Sequence, residues 1–94
     1  MSQLPSRDLL DATHTFPGRF MFKAIGQSDE DFVSRVVAVV RITLQQDFDP
    51  PYEVRTTNGR RHVAVTIEPW VESAQQVIDI YAGMRQLKGL VMLL

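Results

Sequence analysis

Residues 19–44, RFMFKAIGQSDEDFVSRVVAVVRITL, decide the fold, because within them the apolar period changes from two to about 3.6 across one polar break. From Phe20 the alternation is regular: Phe20, Phe22 and Ala24 share one face, and Met21, Lys23 and Ile25 the other, as in a half-buried strand. Gly26-Gln27 interrupts the alternation. Ser28, followed three residues on by Asp31, has capping-box spacing, and the run Asp29-Glu30-Asp31 suits the positive end of a helix dipole. A helix is therefore predicted from near Asp29, with Phe32, Val33, Val36, Val40 and Thr43 as its apolar stripe, flanked by Val39 and Leu44. The run VVAVV alone would also suit a strand, but the cap and the length favour helix.

Outward from this stretch, Asp49-Pro50-Pro51 ends the helical segment, since neither proline donates a backbone hydrogen bond. Strands 52–57 and 62–68 flank Asn58-Gly59, a strong hairpin signal, with Val63, Val65 and Ile67 on one face and His62, Ala64 and Thr66 on the other. After Pro69, Ser73 and Gln76 repeat the capping-box spacing, and Ala74, Val77, Ile80, Tyr81 and Met84 make a second helical stripe, stopped by Gly89. Leu90 to Leu94 is apolar throughout, which suits a last strand enclosed on both faces or covered by another chain. The order βαββαβ predicts an α+β, ferredoxin-like two-layer sandwich with antiparallel sheet order 4-1-3-2 and Phe22, Val36, Val65, Val77 and Tyr81 in its core. Residues 1–17 read as a flexible N-terminal arm, since Pro5 and Pro17 bracket the short turn that Ser6 would cap, and residues 18–94 as the domain.

A chain of 94 residues has room for one domain with a thin core, for which self-association adds stability. Ten Lys and Arg against eleven Asp and Glu give a net charge of −1, so no global field attracts nucleic acid or an anionic membrane. The absence of cysteine excludes disulfides and thiolate metal sites, and no metal or cofactor is expected. No apolar run approaches the ~20 residues of a membrane span, nor does the start resemble a signal peptide, so a cytoplasmic location is expected.

FKAIGQ (22–27), the Gly59 hairpin leading into HVAVTI (62–67), and QQVIDIYAGMRQLKGLVMLL (75–94) closely resemble the YbeD-like family of small bacterial proteins, a domain of unknown function. The resemblance covers about Phe16 to Leu94, and its most specific elements are Phe22 to Gln27 and Ile80-Tyr81. It implies a ferredoxin-like βαββαβ sandwich similar to the ACT regulatory domains that bind amino acids, and it implies no assigned activity. At the hairpin Arg60-Arg61-His62 replaces a Gly-Lys-Tyr run, with one extra residue.

With Phe20, Phe22, Val63, Val65 and Ile67 turned to the helices, the reverse face carries Met21, Lys23, Ile25, Ala64, Thr66, Met92 and Leu94. That face is apolar enough to predict a protein interface, in a homodimer or with an unidentified partner. Gly26, Gln27 and Ser28 lie where ACT domains hold their effectors, so the resemblance makes them a candidate site for a small carboxylate such as an amino acid or organic acid. On the residues alone, Gly26 serves a turn and Ser28 a cap. Lys23, Arg60, Arg61 and His62 suggest a basic spot, but the open-face positions lack the aromatics on which RNA bases stack. Catalysis has least support: His14 and His62 lie in different settings, and no Ser has an evident base. The acylphosphatase arginine and metal-carrier cysteines are also missing from the first strand–helix loop. Trp70, before the second long helix, suits a partner anchor or a cap on the core. The expected function is a non-catalytic regulatory or interaction module, a self-associating protein-binding adaptor; a small-ligand sensor is the alternative and an RNA-binding module the third reading.

Overall fold

The computed structural model describes residues 4–29 and 31–94. Its elements are α1 (Arg7–Thr13), β1 (Gly18–Arg19), β2 (Phe22–Gln27), α2 (Phe32–Thr43), β3 (Tyr52–Thr56), β4 (His62–Ile67), β5 (Trp70–Val71), α3 (Ala74–Met84) and β6 (Leu90–Leu93). Four of the strands form one sheet in the order β3-β4-β2-β6, every neighbouring pair antiparallel, and β1 pairs with β5 in a two-stranded ribbon. This is an α+β architecture compatible with a ferredoxin-like fold.

Side-chain period places the core between the sheet and the helices. Phe22 and Ala24 of β2 and Val65 and Ile67 of β4 are fully buried, as are Phe32, Val36 and Val40 of α2 and Val77, Ile80 and Met84 of α3. Each large apolar side chain so buried contributes roughly 1.5–3 kcal/mol. Tyr81 is only half-buried: it stands at the rim with its ring edge-on to Phe22 and Phe20, at centroid distances of 4.9 and 6.3 Å. Burial raises its phenol pKa above the ordinary value.

Four local expectations change. The predicted first strand is broken: Phe20 donates its N–H to Pro69 O at 3.0 Å, so residues 18–19 pair with β5 while β2 begins at Phe22. Helix α2 starts at Phe32 rather than near Asp29, with Asp31 and not Ser28 at the N-cap. The Asp31 N–H that a Ser28 cap would accept goes instead to Asp29 Oδ1 at 2.8 Å, on a carboxylate held by Arg35, while the Ser28 N–H donates to Arg61 O of the hairpin at 3.1 Å. The hairpin turn is longer than a two-residue loop: Thr57 N–H donates to His62 O, leaving residues 58–61 as the loop, with left-handed backbone at Gly59 (φ 80°) and Arg60 (φ 57°). Finally, Arg7–Thr13 is a helix capped by Ser6, whose Oγ accepts from Leu9 N–H, and Leu10 is 5% exposed within the core. The arm forms a helix because one apolar side chain docks beside α3, a gain that local propensity does not contain.

The second cap follows its spacing. Ser73 Oγ accepts from Gln76 N–H, and Gln76 Oε1 accepts from Glu72 N–H at 2.7 Å, one residue outside the usual reciprocal partner.

Candidate interaction face

Two cross-strand rows define the open side of the sheet. Register aligns Arg55, Ala64, Ile25 and Met92 in one row; in the next, Glu53 faces Thr66 and Thr66 faces Lys23. Lys23 exchanges both backbone hydrogen bonds with Leu94, at 3.1 and 2.8 Å, which completes that row. Because side chains alternate along each strand, all eight lie on the face away from the helices.

The face is divided. Its β3–β4 half is polar, with a shallow hollow of about 370 Å³ lined by Lys23, Glu53, Val54, Arg55, Ala64 and Thr66. Its β2–β6 half is apolar: Met21, Met92 and Leu94 are 56%, 50% and 58% exposed. The predicted patch is therefore narrower than its seven residues. Ala64 is 8% exposed, its short side chain lying below the longer Arg55 and Ile25 on either side of it, and Ile25 and Thr66 are half-buried. The last strand is not enclosed on both faces, since its middle residues Val91 and Met92 are exposed; it is also a sheet edge, with a register shift between Ile25 and Gly26.

Gly26, Gln27 and Ser28 do not form the expected turn. Gly26 and Gln27 belong to β2, and the Gln27 N–H donates to Gly89 O at 2.8 Å, the Ser28 N–H to Arg61 O and the Asp29 N–H to Gln27 O. Gly26 is buried, and a Cβ built on it would lie 2.3 Å from the Phe32 ring, so this glycine makes room for an aromatic ring. Beside it, Asp29 Oδ1 accepts from Asp31 N–H at 2.8 Å and the carboxylate takes Arg35 Nη2 at 3.0 Å, while the same nitrogen donates to Lys88 O. The backbone bond and then the guanidinium hold the Asp29 carboxyl below its ordinary pKa. Glu30 of the acidic run lies outside the described residues.

The basic residues are dispersed. Arg60 and Arg61 sit in the hairpin loop and His62 faces Gln27, whereas Lys23 lies four residues along β2, about 13 Å away at strand rise. No open-face position named above is aromatic. His14 packs on Phe20 at 4.8 Å between ring centroids. Among the described residues no three His, Asp or Glu side chains cluster as metal ligands, and no helix is long and apolar enough to cross a membrane. Trp70 belongs to β5 and is 54% exposed, its Nε1 donating to Glu72 Oε2 at 2.9 Å. Sequence reasoning expected a strand over 52–57 but did not single out Glu53 and Arg55, although two charged residues two apart in a strand after a double proline were a visible signal of an exposed edge.

These features define a small α+β domain with one helix-covered sheet face and one face half apolar and half charged. The chain belongs to the DUF493 family, proteins of unknown function, whose pattern matches residues 11–94. This agrees with the YbeD-like resemblance read from the sequence. Among curated relatives, a UPF0250 protein of Shewanella piezotolerans is 30% identical over 79 residues, spanning 84% of this chain and 88% of the relative. One from Shewanella oneidensis has the same identity and coverage. A UPF0250 protein of Chromobacterium violaceum is 30% identical over 69 residues, 73% of this chain and 78% of its own.

Proposed function

We propose that this domain is a non-catalytic, self-associating interaction module, an adaptor that presents the apolar half of its open sheet face to another protein. The observation that carries the reading is the exposed pair Met92 and Leu94, opposite Ile25 and Lys23 on the β2–β6 side of the sheet, with Met21, two residues before Lys23, also more than half exposed. Water-exposed methionine and leucine side by side favour burial against a second apolar surface, and methionine adapts its shape to that surface. Lys23 and Thr66 border the strip and suit a polar rim. The effector-sensor reading has weaker support, because the backbone donors from Gln27 to Asp29 already have acceptors within the chain.

Affinity capture from a bacterial extract, with wild type and Met21→Glu used in parallel, tests the adaptor. An unpaired carboxylate buried within an apolar contact is strongly unfavourable, so the expected result is a specific protein retained by wild type and lost with Met21→Glu, at unchanged far-ultraviolet circular dichroism. Equal capture by both, or by neither, would refute the proposed contact surface.

A further inference from the structure

We propose that two copies of this chain pair β3 against β3, antiparallel and across a two-fold axis at Val54, to make one continuous eight-stranded sheet. The inference rests on the self-association in the reading above but uses a different surface, and leaves the apolar open-face strip free on each copy.

Hydrogen-bond parity comes first. In the ladder with β4, Thr57 N–H donates to His62 O and Glu68 N–H to Pro51 O, so Pro51, Glu53, Arg55 and Thr57 direct their backbone groups inward. The alternate residues Tyr52, Val54 and Thr56 direct theirs outward along the sheet edge. A strand added there must therefore be met by those three. With a second β3, Val54 faces its own counterpart and Tyr52 faces Thr56, an arrangement that satisfies the outward donors and acceptors of both copies.

Charge then selects this register. With Val54 on the axis, Glu53 stands opposite Arg55 of the other copy, twice by symmetry, at the close non-hydrogen-bonded positions of the ladder. Sliding by two residues in either direction places Glu53 opposite Glu53 or Arg55 opposite Arg55. A strand edge that carried charge only for solubility would need no such self-complementarity. On the helix side Tyr52 and Val54 are 44% and 46% exposed, beside a cleft of about 580 Å³ between α2 and β3 that leaves room for the other copy's side chains. The opposite edge, β6, has a register shift and no charged residue to fix a pairing.

Sedimentation equilibrium of wild type, Glu53→Arg, Arg55→Glu and the double exchange tests the pairing. Each single variant sets like charges opposite each other twice and should weaken the dimer about tenfold or more, whereas the double exchange restores opposite charges and should return to within about threefold of wild type. Raising the salt should narrow the gap between single variants and wild type. In hydrogen exchange the Val54 amide should be protected in the dimer and exposed on dilution. A wild type monomeric at about 100 μM overturns the proposal. So do single variants that dimerise like wild type, or a double exchange as weak as the singles. Met21→Glu separates the two ideas, because it should abolish partner capture while leaving this dimer intact.

Discussion

Replacing Gly26 by alanine distinguishes a glycine kept for packing from one kept for a binding turn. The added Cβ would lie 2.3 Å from two atoms of the Phe32 ring, and Phe32 is 0% exposed, so the ring must move against Val36 and the rest of the core. Overpacking a tight interior costs about 1–3 kcal/mol, and a conflict of this depth with a rigid ring belongs at the upper end. The stiffer unfolded chain offsets about 0.4–1 kcal/mol, which leaves a net loss of about 2 kcal/mol. For a domain of this size that lowers the melting temperature by roughly 8–16 °C. Urea unfolding followed by circular dichroism should show a lower midpoint at unchanged slope. Phe32→Leu frees space at the same point, so the double variant should be more stable than the sum of the single effects by about 1 kcal/mol. A Gly26→Ala protein within about 0.5 kcal/mol of wild type would refute the packing argument, since that margin is typical of surface substitutions.

Leu10→Ala should cost about 2–4 kcal/mol in urea unfolding, because Leu10 is 5% exposed within the core and its loss leaves a cavity beneath α1; a neutral substitution would mean that α1 is not docked. Asp29, with its folded pKa depressed, contributes stability that is fully present above the ordinary carboxylate range and is lost as pH falls through the lower folded value. Asp29→Asn should accordingly be less stable than wild type at neutral pH and flatten the stability-against-pH curve below about pH 4, where parallel curves would contradict the assignment.

What was legible in the sequence depended on how local its cause is. The strand–helix change within 19–44 and the stripe Val77, Ile80 and Met84 are repeated along each segment, so the periods place Phe22, Val36 and Val65 in the core without reference to fold. The cap at Ser73 is likewise local and formed where its spacing predicts. Ser28 has the same spacing and does not cap, because Asp29, held by an Arg35 that also bonds the distant Lys88 O, takes the Asp31 N–H that the Ser28 hydroxyl would accept. Gly26 reads as a turn residue in sequence, and only the approach of Phe32 makes it a packing residue.

The sequence by itself determined the types of the six main elements, the two apolar helix stripes and the family, because these rest on side-chain order within short segments. The tertiary structure decided that residues 18–19 leave the main sheet to pair with β5, that Leu10 belongs to the core, and how far Glu53 and Arg55 are exposed. Those properties arise from neighbours far apart in the chain: burial and pairing depend on what packs alongside a residue, and no local period carries that information.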